Sequence, residues 1–186
     1  MKPIYLRNLP EPLDETYDHP FILEHFASWI KPERYLEIGV RNGRVLKKIM
    51  NYCNECYAVD IKFLTKDFTS NVKLFETSSD DFFLNLDNNI KFDMVFIDGD
   101  HNKEQVYKDF VNVEDKVIDD GFVFFHDSYP YSEIMLQPGL SGDCWEAVKK
   151  IKKNFISSWE IVTLPFNPGL TIMKKIKLEK QLIWKD

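Results

Sequence analysis

Residues 35–52 read YLEIGVRNGRVLKKIMNY, and this stretch decides the fold class. Its first four residues form a short, mostly apolar run that Gly39 ends, which is typical of a strand followed by a tight turn. Residues 44–52 then carry apolar side chains at helical spacing. A strand, a glycine turn and a helix in this order predict the first unit of an α/β domain.

The same alternation continues along the chain. Further strands are predicted at residues 57–60, 72–75, 92–98, 121–125, 159–164 and 170–175. Helices are predicted at residues 21–30, 79–86, 102–118 and 143–155. Together these elements predict a Rossmann-like α/β fold with a mainly parallel seven-stranded sheet and helices on both faces. The last two strands form a C-terminal antiparallel hairpin, which adds one antiparallel strand at an edge of the sheet.

Length and charge limit the kind of protein. The 186 residues suffice for one domain with its own core, and we divide them into an arm and cap helix (1–30), a main domain (31–176) and a tail (177–186). A formal net charge of -6 disfavours a general nucleic-acid binder, which usually has a basic face. No apolar run approaches the ~18 residues of a membrane span. Residues 1–20 hold four prolines and lack the apolar core of a signal peptide, so we expect a cytoplasmic protein.

The cysteines offer a second kind of site to consider. Cys53 and Cys56 form a C-x-x-C pair, and Cys144 is the third cysteine. The sequence has no second pair and no nearby histidine to complete a zinc site. The pair also precedes a strand, whereas a thioredoxin-like pair opens a helix. We interpret all three cysteines as structural residues of a protein from a reducing compartment.

Polar and charged residues gather where the predicted strands end, which is where α/β sheets bind ligands. The turn EIGVRNGR at 37–44 has G-x-x-x-G spacing, unlike the G-x-G-x-x-G of dinucleotide-binding proteins. Asp60, about twenty residues further on, is placed either to accept both ribose hydroxyl hydrogens of a nucleoside or to cap a helix. The stretches FIDGDH at 96–101 and FFHDS at 124–128 add acids and histidines that are costly to bury without partners.

These runs resemble the class I S-adenosylmethionine-dependent methyltransferases. Within that class, the chain is most similar to the bacterial small-molecule O-methyltransferase group that includes macrolide-sugar and cephalosporin-type enzymes. The resemblance covers roughly residues 33–175, and its most specific part is FIDGDH followed by His126 and Asp127 after the next strand. Dimers are common among such enzymes, so the resemblance leaves a homodimer open.

The resemblance implies S-adenosylmethionine as the cofactor. Glu37, Gly39 and Gly43 would surround its methionine part. The remaining cofactor-binding residues would be Asp60 and Ile61 at the ribose, Ser78 and Ser79 near the adenine, and Asp98. Many relatives carry an acid at the position of Ser78, so adenine recognition here would depend more on backbone groups.

The resemblance also implies a catalytic centre. Asp98 and Asp127 would bind a divalent metal such as Mg²⁺ or Mn²⁺, with His126 as the third metal position, and His101 would be the general base. Relatives tend to carry a carboxylate where His126 stands, and Mg²⁺ prefers oxygen ligands. Three alternatives follow: His126 turns away from the metal, the site prefers Mn²⁺ or Fe²⁺, or no metal binds. For His101, the alternative is a structural hydrogen bond at the start of the next helix.

We therefore predict O-methylation of a hydroxyl on a small molecule, with no nucleic acid or membrane as partner. The loop 128–142, with Tyr129, Tyr131, Met135 and Leu136, and the N-terminal arm would form the wall against the acceptor. His19 and His25 lack a supporting pattern, and we predict them to be structural or exposed. Three alternatives are an NAD-dependent oxidoreductase, a non-catalytic partner protein and, least favoured, a nucleic-acid methyltransferase.

Overall fold

A computed structural model describes residues 19–166 and 168–177. The strands are β1 (Arg34–Ile38), β2 (Glu55–Asp60), β3 (Val72–Glu76), β4 (Phe92–Ile97), β5 (Val117–His126), β6 (Trp159–Leu164) and β7 (Leu170–Lys175). The helices are α1 (His19–Ile30), α2 (Leu46–Ile49), α3 (Ser79–Asn85), α4 (Lys103–Glu114) and α5 (Cys144–Phe155). Short 3₁₀ turns occupy Met50–Tyr52 and Glu133–Leu136.

The seven strands form one sheet in the order β3-β2-β1-β4-β5-β7-β6. The first five strands are parallel, and β7 runs antiparallel to both β5 and β6. The chain moves outward from β1 to β3 and then returns to β4 on the other side of β1. In such a sheet, the ligand cleft lies at this reversal, outside the carboxyl ends of β1 and β4. The predicted fold class is confirmed.

Both faces of the sheet are covered by helices. On one face, α4 and α5 bury Phe110 and Ile151 against Val95 and Ile97 of β4. On the other face, the cluster contains Leu23 of α1 together with residues of α2, Met94 and Phe96 of β4. Because successive residues of a strand point to opposite faces, the continuous apolar run of β4 contributes to both cores.

The C-terminal hairpin is confirmed, but its position in the sheet differs from the prediction. The antiparallel strand β7 lies inside the sheet, between β5 and β6, and β6 forms the edge. The first four residues of β7 are buried, whereas only Trp159 of β6 is. The strand with neighbours on both sides is therefore the more buried of the two, although β6 carries at least as many apolar residues.

Two predicted helices are too long. The helix predicted at 44–52 contains only four α-helical residues, followed by the 3₁₀ turn at Met50–Tyr52. The helix predicted at 102–118 ends at Glu114, and Val117 and Ile118 already belong to β5. Val117 pairs with Phe92 of β4, so the β-branched residues at this point join the sheet.

The three cysteines are buried and form no disulfide. Cys56 lies in β2, and Cys53 precedes that strand. Their burial in the core agrees with the structural interpretation. Among the described residues, no helix is long and apolar enough to cross a membrane.

Candidate active site

The carboxyl ends of β1, β2, β4 and β5 open into one cavity of about 1120 Å³. Small-molecule sites usually measure about 300–1,000 Å³, so this cavity has room for a nucleoside cofactor and a second small ligand. It brings together all but one of the predicted site residues: Glu37, Gly39, Asp60, Ile61, Ser78, Ser79, Asp98, His101, His126 and Asp127.

Gly43 is the exception among the predicted site residues. Its α-carbon faces the ring of Phe68, and the residue does not line the cavity. The packing against Phe68 and a φ of +71° explain why glycine stands there. Gly39 does line the cavity, and a Cβ added to it would overlap the carbonyl group of Asp98. This close approach fixes the turn after β1 against the end of β4.

Asp60 holds the turn after β1 through backbone hydrogen bonds. Its Oδ2 accepts the N–H groups of Val40 at 2.8 Å and Arg41 at 2.7 Å, and its Oδ1 accepts that of Lys62 at 2.8 Å. A carboxylate offers about four acceptor positions, so about one remains for a ligand. The assignment of Asp60 to the ribose stays a prediction, and in this conformation the three N–H groups leave it about one further acceptor position. The adjacent Ile61 side chain is 79% exposed.

Glu37 lies at the buried end of the cavity. It is 1% exposed, and the Tyr35 hydroxyl donates to its Oε2 at 2.7 Å. Burial raises the pKa of the Glu37 carboxyl well above its usual value, although the hydrogen bond from Tyr35 acts in the opposite direction.

Four side chains at the tips of β4 and β5 form what we call the acid–imidazole cluster: Asp98, His101, His126 and Asp127. His126 Nδ1 lies 2.9 Å from Asp98 Oδ1 and 3.3 Å from Asp127 Oδ2. His101 Nε2 lies 3.2 Å from Asp127 Oδ2 and 3.7 Å from Asp98 Oδ1. Each histidine thus contacts both carboxylates. The sequence prediction that these four residues converge is confirmed by their positions.

A family model described as a methyltransferase domain matches residues 36–128, which is half of the chain. The chain belongs to this methyltransferase family. The match confirms the resemblance to class I S-adenosylmethionine-dependent methyltransferases and the predicted enzyme class. A search of curated proteins finds no match to this chain.

Three solved methyltransferases show the fold that this methyltransferase shares. An O-methyltransferase from Bacillus cereus in complex with S-adenosylhomocysteine is 12% identical, with a TM-score of 0.67, and the match covers 91% of this chain and 84% of that one. The O-methyltransferase TomG from Streptomyces achromogenes in complex with S-adenosylmethionine is 14% identical, with a TM-score of 0.65 and coverage of 84% and 78%. The S-adenosylhomocysteine-bound methyltransferase PaMTH1 from Podospora anserina is 17% identical, with a TM-score of 0.64 and coverage of 85% and 78%.

The acid–imidazole cluster of the methyltransferase carries balanced charges. Burial lowers the pKa of His126, but the charges and hydrogen bonds of Asp98 and Asp127 outweigh this effect and raise it to about 10. The pKa of His101 rises to about 9, chiefly through its interaction with the Asp98 carboxylate. Burial alone would raise the pKa values of both carboxyls, yet the neighbouring histidines lower them. At neutral pH, without a bound cation, the cluster therefore holds two carboxylates and two imidazolium groups.

The loop predicted to face the acceptor mainly supports the cluster of the methyltransferase. Leu136 lines the cavity as predicted, together with Pro138 and Gly139, whereas the predicted Tyr129, Tyr131 and Met135 lie outside its lining. The Leu140 carbonyl accepts a hydrogen bond from His101 Nδ1. The Ser141 hydroxyl donates to Asp127 Oδ1 at 2.7 Å. Residues 1–18 of the N-terminal arm lie outside the described residues.

A polar group on α4 was not predicted from the sequence. Asp109 is 1% exposed, and its Oδ1 accepts hydrogen bonds from Ser79 at 2.6 Å and from Gln105 at 2.9 Å. Burial raises the pKa of Asp109 to about 6, against the opposing hydrogen bonds. Gln105 and Asp109 line the cavity beside Ser79. Their spacing of four residues on one helix, beside the apolar positions Val106 and Phe110, was the available signal.

His19 was predicted to be structural or exposed, and the structure places it in the cavity wall. It is the first residue of α1 and is 7% exposed. Its ring centroid lies 3.9 Å from that of His126 and 5.8 Å from that of Phe96. His25, on the same helix, is exposed, which agrees with its prediction.

Proposed function

We propose that this methyltransferase binds S-adenosylmethionine in the cavity and transfers its methyl group to a hydroxyl of a small molecule, such as a sugar or a secondary metabolite. The supporting observation is that one cavity contains both an acid suited to a nucleoside, Asp60, and the acid–imidazole cluster. An alcohol is a weak nucleophile until it loses its proton, and the cluster supplies groups that exchange protons.

The residues at the β2 end of the cavity fit the nucleoside. Asp60 keeps about one acceptor position for a ribose hydroxyl. The exposed side chain of Ile61 offers an apolar surface to one face of an adenine ring. Ser79, Gln105 and Asp109 place a polar group at the end of the same region. At the other end, the buried Glu37 carboxyl is a partner for the ammonium group of the methionine part.

When bound, the cofactor supplies an electrophilic methyl group on a positively charged sulfur. The protein aligns the two reactants and removes the proton of the acceptor. In this proposal, the acceptor oxygen takes the methyl group, the bond from the methyl carbon to sulfur breaks, and the hydroxyl proton passes to His101 Nε2. A general base of this kind contributes on the order of 10²–10⁴ in rate.

Two neighbours orient His101 for this role. Its Nδ1 donates to the Leu140 carbonyl, so the neutral ring keeps its lone pair on Nε2. Asp127 lies 3.2 Å from that Nε2 and stabilises the imidazolium that proton transfer forms. Asp127 is itself fixed by the hydrogen bond from Ser141. Its backbone has a φ of 55°, a left-handed conformation that aspartate tolerates and that often occurs at functional sites.

The cluster also fits a divalent metal, and Asp98, His126 and Asp127 are the residues that would hold it. His126 Nε2 is buried and has no hydrogen-bond partner among the described residues. Carboxylates and imidazole are common metal ligands. A bound metal would lower the pKa of a coordinated hydroxyl.

Calorimetry with S-adenosylhomocysteine tests the cofactor site. We expect the parent protein to bind and Asp60→Ala to bind at least about 10-fold more weakly, because a hydrogen bond to a charged group contributes about 1.5–3 kcal/mol. Asp67→Ala is the matched control, since Asp67 is exposed, close in sequence and outside the cavity lining. Equal affinity of parent and Asp60→Ala would disprove the ribose assignment, and tight binding of NAD⁺ instead would favour an oxidoreductase.

A panel of sugars, phenols and secondary-metabolite alcohols tests the reaction. Incubation with S-adenosylmethionine is expected to add one methyl group to an oxygen of at least one compound, as detected by mass spectrometry. Tight cofactor binding without methylation of any compound would instead support a non-catalytic partner protein.

A further inference from the structure

We propose that His19, Asp98 and His126 form a two-histidine, one-carboxylate site for a late first-row divalent metal, with His19 as a ligand that α1 supplies. The role of this metal in catalysis rests on the proposed function. Metal binding itself is measurable without cofactor or acceptor, so the two proposals can fail separately.

Three distant parts of the chain meet at this site. Asp98 follows β4, His126 ends β5, and His19 begins α1. His19 is buried against the His126 ring, at a centroid distance of 3.9 Å, and both line the cavity. The packing of α1 against the sheet therefore brings a second imidazole beside Asp98.

The donor atoms are close enough to share one ion. One potential ligand atom from each of His19, Asp98 and His126 lies within 4.8 Å of the other two. Two donors bound to one ion at about 2.1 Å lie at most about 4 Å apart. Side-chain movements of about 1 Å therefore suffice to complete the site.

His126 supplies an independent observation. Its Nδ1 faces the carboxylates of Asp98 and Asp127, at 2.9 and 3.3 Å. Its Nε2 is buried without a partner among residues 19–166 and 168–177. Histidine ligands of metals commonly donate one ring N–H to a carboxylate and bind the metal through the other nitrogen. In this arrangement His19 takes the ligand position that was proposed above for Asp127. Asp127, 3.3 Å from His126 Nδ1, then accepts that N–H and leaves Asp98 to the metal.

The donor set decides which metals fit. Mg²⁺ prefers a shell of oxygen atoms, whereas imidazole ligands suit Fe²⁺, Co²⁺, Ni²⁺ and Zn²⁺. Two imidazoles and one carboxylate therefore favour the later metals over Mg²⁺. A second group, Asp98, His101 and Asp127, shares Asp98 and holds two carboxylates. Substitution of His19 should weaken metal binding only if the first group holds the metal, and substitution of His101 only if the second group does.

Cobalt binding to the metal-free full chain tests the proposal. We expect Co²⁺ to bind with one ion per chain, to give visible absorption bands of nitrogen and oxygen ligation, and to bind at least about 10-fold more tightly than Mg²⁺. His19→Ala and His19→Phe should each weaken Co²⁺ binding by more than about 10-fold, which is the effect that loss of a supporting residue already has. His19→Phe keeps a ring against Phe96 and His126 but removes both nitrogens.

The matched control is His25→Ala, because His25 lies on the same helix and is exposed. It should bind Co²⁺ like the parent. The proposal is overturned if the parent binds no Co²⁺, if both His19 variants bind it as tightly as the parent, or if His101→Ala alone weakens binding. Circular dichroism of the same samples shows whether each variant is folded, independently of cofactor binding, and S-adenosylhomocysteine binding is measured beside it. Cobalt binding without nucleoside binding would overturn the proposed function and leave the metal site standing.

Discussion

Replacing Asp109 with asparagine should change how the stability of the protein depends on pH. Asp109 is buried at the cavity wall, where its Oδ1 accepts hydrogen bonds from Ser79 and Gln105. In the part of the chain that the structure describes, no cation forms an ion pair with its carboxyl, and its charge lies near those of Asp80 and Asp100. Asparagine keeps the acceptor oxygen and removes the charge, so the substitution isolates the cost of ionising a buried group.

The size of the effect follows from the pKa. Burial raises the pKa of Asp109 from a usual value of 3.8 to about 6 in the folded protein. The folded state therefore binds the proton more tightly than the unfolded state. The stabilising contribution of the protonated form is fully present below pH 3.8 and is lost as the pH rises through about 6. Relative to low pH, the stability lost through Asp109 is about 1 kcal/mol at pH 4.5, where mainly the unfolded state is ionised, and about 3 kcal/mol above pH 7, where both states are.

Urea unfolding of both proteins at pH 4.5 and pH 7.5 measures this effect. Any cost of burying the new amide group is the same at both pH values. The free energy of unfolding of Asp109→Asn, relative to the parent, should therefore rise by about 2 kcal/mol between pH 4.5 and pH 7.5. Asp119→Asn, which removes an exposed carboxylate from β5, is the control and should show no such rise. A difference in unfolding free energy between Asp109→Asn and the parent that stays constant with pH would show that Asp109 is not held with a raised pKa in the folded protein.

Three further predictions concern the turn after β1, the core and the proposed base. Gly39→Ala should lower the free energy of unfolding in urea by more than about 2 kcal/mol, because the added Cβ overlaps the Asp98 carbonyl. Gly139 has a similar φ but open space around it, so Gly139→Ala should cost only about 1–2 kcal/mol. Equal costs for the two variants would contradict this prediction. Phe110→Ala should lower the unfolding free energy by about 3–5 kcal/mol, because Phe110 is fully buried; a loss below 1 kcal/mol would show that the site collapses around the gap. In the metal-free enzyme, kcat/KM for an alcohol acceptor should rise with pH up to about 9, where His101 loses its proton. His101→Gln should abolish that rise. A pH profile that this substitution leaves unchanged would exclude His101 as the base.

The strands were predictable from the sequence because their signal is local. Continuous apolar runs such as that of β4, bounded by polar residues and glycine, indicate strands that are covered on both faces. The acid–imidazole cluster was also predictable, since the carboxyl ends of parallel strands meet at one edge of the sheet. Residues at the tips of β4 and β5 had to approach each other once the strands were placed.

The remaining features depend on contacts between distant residues. The helix predicted at 102–118 continues an apolar spacing through Val117, yet pairing with Phe92 of β4 draws that residue into the sheet. His19 stands in no motif, and only the packing of α1 against the sheet brings it to His126. Asp60 shows the reverse case, because its position was predictable but its three hydrogen bonds to the neighbouring turns were not.

A crystal structure of the protein with S-adenosylhomocysteine would show whether the cavity is the cofactor site. We expect a ribose hydroxyl at Asp60, the adenine between Ile61 and Ser79, and the sulfur directed toward Asp98 and His101. A nucleoside bound elsewhere, or oriented with its sulfur away from the acid–imidazole cluster, would disprove the proposed cofactor site.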